Sequence, residues 1–127
     1  MSAPSDLRYT RDHEWIGGDG DEATVGITEY AADQLGDIVF VELPDTGRDL
    51  EEAKPFGVVE SVKAVSDLFA PISGAVKATN DALAREPELV NRDPYGAGWM
   101  VRMTVADPAQ LGDLLDGEGY DELIAAG

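Results

Sequence analysis

Hydrophobic and polar positions alternate in short runs through the first two thirds of the chain, a pattern typical of β-strands. The clearest run covers residues 37–43 and ends at the turn residues 44–47. Further strands are predicted at 23–28, 56–62, 67–70, 75–79 and 98–105. The glycine-rich stretch 17–20 is interpreted as a turn. Many short strands separated by turns predict a mainly β fold, a sandwich or flattened barrel.

Two parts of the chain carry helical signals. Thr28 is a suitable N-cap for a short helix over 29–35, and Gly36 would end that helix. The pattern becomes helical again after Pro108, with three leucines predicted on one face: Leu111, Leu114 and Leu115. A second short helix is predicted at 120–125. We therefore expect helices at the margin of the β structure.

The segment around Lys63 fits two kinds of structure. Four apolar residues follow a helical spacing: Val58, Val62, Val65 and Phe69. The valines and nearby Pro71 favour strands instead. The pattern alone leaves both open. We favour a β-hairpin with Lys63 near its tip, between Val62 and Ala64, because the neighbouring predicted elements are strands.

Composition narrows the class of protein. A chain of 127 residues with 43% hydrophobic residues fits one folded domain. The absence of cysteine excludes disulfides, thiolate metal sites and a cysteine nucleophile. No apolar run is as long as a membrane span, and the first residues have neither a signal-peptide nor a transit pattern. The sequence thus predicts a cytoplasmic protein without a membrane partner.

The charge is strongly negative. There are 26 acidic and 9 basic residues, and the net charge is −17. Phosphate binding needs a basic face, so a nucleic-acid partner is not expected. Acidic residues gather at 19–22, 49–52 and 113–122. A solvated surface is the simpler interpretation, and steering toward basic partner proteins is the alternative.

Lys63 is the main candidate for special chemistry. The chain contains only three lysines, and this one lies in an apolar, β-branched run. Lysine carries amide-linked swinging-arm cofactors, but from the local run alone an unmodified surface lysine is the simpler interpretation. A Schiff-base lysine needs a desolvated site that lowers its pKa, and a hairpin tip offers no such burial.

His13-Glu14-Trp15 is the second candidate. His13 is the only histidine, so neither a histidine metal cluster nor a Ser/His/Asp network is expected. Packing is the simpler interpretation, with Trp15 buried and His13 hydrogen-bonded nearby. The carboxylates of 17–22 lack calcium-loop spacing, and the chain contains neither a phosphate-binding glycine loop nor a nucleophile elbow. We predict no metal site.

Eight sequence blocks in order resemble the H protein of the glycine cleavage system. They are Tyr9-Thr10, His13-Glu14-Trp15, Val25 to Thr28, Leu35 to Pro44, Val59 to Asp67, Pro71 to Gly74, Asn91 to Tyr95 and Gly98 to Met100. The resemblance extends from Tyr9 to Tyr120 and so covers nearly the whole chain.

This resemblance implies a lipoyl/biotinyl-type flattened β-barrel, a barrel-sandwich hybrid of two sheets with short helices and a C-terminal helix. One carrier domain is expected over 1–127, with a β core at about 9–105 and a helical part at about 107–125. Lys63 would carry lipoic acid in amide linkage at the hairpin tip. Glu60 and Gly74 match the positions that lipoyl-attaching enzymes recognise in the family. Glu14 would contact the loaded arm.

The implied function is that of a non-catalytic carrier. It would take the aminomethyl group of glycine from the pyridoxal-phosphate-dependent P protein, a glycine decarboxylase, to the tetrahydrofolate-dependent T protein, an aminomethyltransferase. The L protein, a dihydrolipoyl dehydrogenase, would then reoxidise the arm. A shuttle that visits several partners is best served as a monomer. A biotin carrier is one alternative, although Val62 and Ala64 replace the methionines of biotin sites. A protein that relays lipoyl groups to other enzymes is another.

Two positions depart from the family pattern. Ala53 stands where family members usually carry glycine, and alanine fits there if the backbone φ is negative. The stretch 82–86 differs from the usual serine-containing pattern before Pro87. Neither departure involves Lys63, so both concern local loop geometry.

Overall fold

The computed structural model describes residues 3–126, apart from the side chain of Asp19. The predicted bounds of 1–127 include Met1, Ser2 and Gly127, which lie outside the described residues. The strands are β1 (Arg8–Tyr9), β2 (Glu14–Asp19), β3 (Glu22–Ile27), β4 (Ile38–Glu42), β5 (Asp49–Leu50), β6 (Pro55–Ser61), β7 (Val65–Phe69), β8 (Gly74–Thr79) and β9 (Val101–Thr104). The helices are α1 (Glu29–Leu35), α2 (Ala82–Arg85), α3 (Leu89–Arg92), α4 (Ala109–Gly112) and α5 (Gly117–Ala126).

The strands form two antiparallel sheets. The larger sheet has six strands in the order β1-β2-β3-β9-β8-β5, and the smaller has three in the order β4-β6-β7. Buried apolar residues from both sheets belong to one hydrophobic cluster, among them Val25 and Met103 of the larger sheet and Val59 and Leu68 of the smaller. The predicted mainly β fold of two sheets, with short helices and a C-terminal helix, is confirmed. None of the helices in the described part of the chain is both long and apolar enough to span a membrane.

A second, aromatic cluster attaches the C-terminal helix to the larger sheet. Tyr9, Trp15 and Tyr120 are its buried members. The rings of Tyr9 and Tyr120 stack with centroids 4.7 Å apart. Tyr120 belongs to α5, so this stack holds α5 against β1. The aromatic pair contributes on the order of 1 kcal/mol beyond the area that it buries.

Helix α1 forms as its sequence predicts. The hydroxyl of Thr28 accepts a hydrogen bond from the Ala31 amide at 3.1 Å, which is N-cap geometry. Gly36 ends the helix with φ +83°, a conformation that favours glycine.

The interpretation of 17–20 as a turn is wrong. Gly17 and Gly18 belong to β2 and pair with Thr24 and Ala23 of β3. The register closes one step later, at Asp19 and Glu22, so the loop itself consists of two residues. Gly20, with φ +70°, is the first of them, as the twist of a two-residue hairpin requires.

The predicted helix face after Pro108 is also wrong in part. Helix α4 ends at Gly112. Leu111 and Leu114 pack against the main core, but Leu115 lies in the aromatic cluster and forms an isolated β-bridge with Tyr9. The exchange of backbone hydrogen bonds between Leu115 and Tyr9, both 2.8 Å, replaces the helical bonds that the spacing predicted.

Three local features complete the description of the fold. Residues 91 and 92 belong to the end of helix α3. Met100 is buried and Trp99 is half-buried, and the Arg102 guanidinium lies 4.7 Å from the Trp99 ring centroid. Ala53 has φ +68°, so the condition of a negative φ, under which alanine would fit that position, is not met. A left-handed conformation costs a residue with a Cβ about 1–2 kcal/mol.

Candidate functional site

Lys63 lies at the tip of the hairpin formed by β6 and β7. The two strands pair in antiparallel register up to Glu60 and Val65, and Val62, Lys63 and Ala64 lie between the strands. The Lys63 side chain is exposed. The predicted hairpin, with Lys63 near its tip, is confirmed, and the helical alternative is wrong.

Ser61 organises the hairpin tip. Its amide donates to the carbonyl of Ala64 at 2.8 Å, which closes the loop. Its buried hydroxyl accepts hydrogen bonds from the amides of Lys63 at 3.3 Å and Ala64 at 3.0 Å. The backbone on both sides of the lysine side chain is thus fixed while the side chain itself extends into solvent.

A second set of bonds fixes the surface beside the tip. The Val62 amide donates to the carbonyl of Asp37 at 3.0 Å. The Asn91 side chain donates to the carbonyl of Gly36 at 2.8 Å and accepts from the amide of Ile38 at 2.8 Å. The stem of Lys63 passes over Gly36, where an added Cβ would lie 3.5 Å from Cε of the lysine.

The hairpin is surrounded by exposed apolar side chains. Among residues 3–126, the large hydrophobic side chains most exposed to solvent are Val39, Phe40, Val62 and Val65. Val62 and Val65, which flank the lysine, are 70% and 66% exposed. Phe40, Glu60 and Val65 are opposite one another across β4, β6 and β7, so their side chains share one face of the smaller sheet.

Glu60 and Gly74 occupy different parts of the fold. Glu60 lies on β6, half-buried, on the strand that leads to Lys63. Gly74 begins β8 in the larger sheet, is buried, and pairs with Leu50 of β5. A Cβ at Gly74 would overlap the backbone carbonyl of Thr104, so the close approach of β8 and β9 requires glycine there.

Glu14 lines a cleft of about 270 Å³. Four separate segments of the chain form the cleft, within 9–14, 52–53, 69–71 and 113–115. Phe69, the last residue of β7, lies at the cleft, while the other end of β7 begins just after the hairpin tip. Ala53 also lines the cleft, so its left-handed backbone lies at the cleft wall.

The carboxyl group of Glu14 is buried and hydrogen-bonded on both oxygens. The side chain is 2% exposed. Oε1 accepts from the Thr10 hydroxyl at 2.6 Å, and Oε2 accepts from the Phe69 amide at 3.3 Å. Burial raises the pKa of Glu14 to about 7, although both hydrogen bonds favour the ionised form. The carboxyl therefore changes charge near neutral pH.

The neighbours of Glu14 have structural partners, as predicted. Trp15 is buried, and its indole nitrogen donates to the carbonyl of Pro94 at 2.9 Å. Nδ1 of His13 lies 2.8 Å from the Tyr120 hydroxyl. Burial lowers the pKa of His13.

Sequence reasoning missed the residues that support the tip. Ser61 and Asn91 both lie inside blocks that resemble the family, but their bonds join positions that are far apart in sequence or depend on the loop geometry. A serine two residues before the exposed lysine of a tight hairpin is the one local signal that could have identified Ser61, because serine hydroxyls commonly accept nearby amide hydrogen bonds.

The fold and the tip together define a class of protein. An exposed lysine at the tip of a tight hairpin, on a fold of two antiparallel sheets with short helices, is the arrangement of a lipoyl-type carrier domain.

Comparisons with known proteins give the family. A family model described as "Glycine cleavage H-protein" matches residues 7–126. A glycine cleavage system H protein of Magnetococcus marinus is 60% identical over 120 residues, which cover 94% of this chain and 86% of that protein. A probable glycine cleavage system H protein of Haloarcula marismortui is 55% identical over 124 residues and 98% of each chain.

A solved structure agrees with these sequence matches. The crystal structure of a glycine cleavage system H protein from Mycobacterium marinum superposes with a TM-score of 0.89 at 40% identity, covering 97% of this chain and 99% of the other. The chain belongs to the glycine cleavage H-protein family.

Proposed function

We propose that this chain is the lipoyl carrier of a glycine cleavage system, with lipoic acid attached through an amide bond to Lys63. The observation that carries the proposal is the exposed Lys63 side chain at the tip of a fixed hairpin, in a member of the H-protein family. The protein is a carrier component and not itself an enzyme, because the reactive group belongs to the arm.

The residues at the tip fit such a group. Ser61 fixes the backbone of the tip, and the lysine stem passes over Gly36 without close contact. An attaching enzyme needs access to Nζ, and the exposed side chain provides it. When bound, the lipoyl group supplies the disulfide and dithiol chemistry that accepts a one-carbon amine together with two electrons. Tethering raises its effective concentration at each partner's active site.

The cleft around Glu14 fits the resting place of the loaded arm. Strand β7 extends about 13 Å from Val65 to Phe69, and lysine with a lipoyl chain reaches on the order of 10–15 Å. An ionised Glu14 pairs with the cationic amine on the arm, and this pairing favours the ionised form. The cleft excludes water from the aminomethyl thioether, which otherwise hydrolyses and loses ammonia.

The surface around Lys63 fits partner enzymes that act on the arm. Each must bring its active-site entrance to the tip and therefore covers Phe40, Val62 and Val65. We assign these partners as the glycine decarboxylase P protein, the aminomethyltransferase T protein and the dihydrolipoyl dehydrogenase L protein. Lipoyl-attaching enzymes bind the same tip and contact Glu60, and Gly74 contributes to their recognition of the fold. The carrier acts as a cytoplasmic monomer.

Reconstitution of glycine decarboxylation tests this function. Purified P, T and L proteins with the lipoylated chain, tetrahydrofolate and NAD should release carbon dioxide and ammonia from glycine, transfer the one-carbon unit to tetrahydrofolate and reduce NAD. Lys63→Arg keeps the positive charge but cannot be acylated in the same way, and it should reduce the rate at least about 100-fold. Lys77→Arg, an exposed lysine on β8, is the matched control and should retain full activity. Full activity of Lys63→Arg would overturn the proposal.

A further inference from the structure

His13 has an unusual backbone conformation. Its φ is +70°, in the left-handed region that residues with a Cβ rarely adopt. Its amide donates to the carbonyl of Thr10 at 3.3 Å, and its carbonyl accepts from the amide of Thr28 at 3.0 Å. Such a conformation persists where the surroundings over-determine it.

Tyr120 lies within hydrogen-bond distance of the His13 side chain, whose ring also packs against Tyr30 with centroids 5.0 Å apart. The Tyr120 hydroxyl lies 2.8 Å from Nδ1 of His13 and 2.7 Å from the hydroxyl of Thr28. Tyr120 is 1% exposed, and its ring is held by the stack on Tyr9. Its edge also packs against the imidazole, with centroids 5.7 Å apart. The C-terminal helix α5 therefore contacts the His13 imidazole through the Tyr120 phenol.

The conformation of His13 determines the loop that holds Glu14. The loop 10–14 closes through the amide of Thr10, which donates to the carbonyl of Glu14 at 3.0 Å. This closure brings the Thr10 hydroxyl to Oε1 of Glu14. A change of φ at His13 would move Thr10 relative to Glu14, because His13 lies between them in the loop.

We propose that Tyr120 is a positioning residue that holds His13 in its left-handed conformation and thereby fixes the Thr10 hydroxyl on the carboxyl group of Glu14. Helix α5, which does not line the cleft, thus controls the state of the carboxyl inside it. The link from Tyr120 to Glu14 concerns the unmodified protein and does not depend on the proposed function. Only its consequence for the loaded arm rests on that function.

The raised pKa of Glu14 provides the readout. The charged residues that line the same cleft are Arg11, Asp12, Glu52 and Asp113, and none of them changes in the variants below. The Thr10 hydroxyl bond lowers the pKa of Glu14 against the effect of burial. Loosening that bond should therefore raise the pKa further. The Tyr120 phenol, whose pKa burial raises to about 12, stays protonated throughout.

The first experiment is an NMR titration of the Glu14 carboxyl carbon in the unmodified protein. Tyr120→Phe keeps the stacked ring and removes the hydroxyl, and we expect an upward shift of about 0.5 pH units or more. Thr10→Val should give a larger shift in the same direction. Tyr95→Phe is the matched control, because Tyr95 belongs to the same aromatic cluster but its hydroxyl accepts from the Glu29 amide. It should leave Glu14 unshifted. An unchanged titration in Tyr120→Phe would overturn the proposal.

The second experiment measures ammonia release from the loaded arm in a mutant cycle. Tyr120→Phe should accelerate release about threefold, and it should have no effect in a Glu14→Gln background, because it acts through Glu14. Equal acceleration in both backgrounds would contradict the positioning role. If Glu14→Gln alone leaves release unchanged, the assigned role of Glu14 at the arm fails, while the titration still decides the link to Tyr120.

A second variant covers the case in which Tyr120→Phe does not fold. His13→Ala keeps the Cβ that disfavours a positive φ and removes the bond to Tyr120. We expect it to fold and to shift the Glu14 titration upward, as Tyr120→Phe would. His13→Gly, which accepts a positive φ without strain, is the control and should shift the titration less. A folded His13→Ala variant with an unshifted Glu14 would also overturn the proposal.

Discussion

The hairpin tip and the cleft around Glu14 are built in opposite ways. The tip consists of neighbouring residues on one hairpin, closed by Ser61, and its lysine is exposed. The cleft joins four distant segments around a carboxyl group that is 2% exposed and has a raised pKa. Under the proposed function, the tip is the attachment point and the cleft is where the loaded arm rests. The tip is formed mainly by residues that are neighbours in sequence, and the cleft depends on the whole fold.

Gly74 lies outside both regions, and its substitution distinguishes a role in recognition by lipoyl-attaching enzymes from a role in packing. Gly74→Ala should destabilise the protein by about 2–3 kcal/mol, because the new Cβ overlaps the carbonyl of Thr104. Urea unfolding measures the loss. Gly112→Ala on helix α4 is the control: nothing lies within 4 Å of its added Cβ, so it should not destabilise the protein, and helix propensity should make it more stable by up to about 1 kcal/mol. A Gly74→Ala protein of normal stability that resists lipoylation would show that Gly74 acts in recognition and not in packing.

The buried carboxyl group of Glu14 should lower the stability of the folded protein once it is ionised. Its folded pKa, raised from 4.5 to about 7, means that the folded state binds the proton more tightly. Its contribution to stability is therefore present below pH 4.5 and is lost as the pH rises to about 7. At pH 8, Glu14→Gln should be more stable than the native protein by about 1–2 kcal/mol.

Urea unfolding at pH 4.5 and pH 8 makes this measurement. The gain of Glu14→Gln should appear at pH 8 and shrink at pH 4.5. Glu22→Gln, an exposed residue of β3, should show no such pH dependence. If the free energy of unfolding of Glu14→Gln changes with pH in the same way as that of the native protein, the raised pKa of Glu14 is contradicted.

The wall of the cleft carries strain at Ala53. With φ +68°, Ala53→Gly should stabilise the protein by about 0.5–1 kcal/mol, since relief of the left-handed strain exceeds the entropy cost of glycine. Thermal unfolding measures this gain. Ala84→Gly on helix α2 is the matched control and should destabilise by about 0.5–1 kcal/mol. Equal losses in both variants would contradict the strained conformation.

The difference between the two regions also explains what the sequence could predict. The hairpin, helix α1 with its Thr28 cap and the strand at 37–43 follow from local pattern and turn residues. The cleft does not, because it requires the bridge between Leu115 and Tyr9 and the approach of 52–53 to 69–71. Neither has a local signal. The backbone at Ala53 also depends on a distant partner, because the Ala53 amide donates to the carbonyl of Ala70 at 2.8 Å, although the glycine usual at this position in the family is a sequence signal for a positive φ.

The stretch 82–86, which differs from the family pattern, lies outside both the hairpin tip and the Glu14 cleft. Helix α2 forms there and buries Leu83 in the main core. No residue of the stretch lines the cleft or belongs to the hairpin. The altered sequence therefore leaves both candidate sites as they are.

The proposed function depends on Lys63 as the attachment point of a lipoyl arm. Intact mass spectrometry of the protein from its native host, followed by peptide mapping, shows whether Lys63 carries this group. We expect the mass gain of one lipoyl group, located on the peptide that contains Lys63, and none on Lys54 or Lys77. A biotin mass at Lys63, or a lipoyl group on another lysine, would contradict the proposed function.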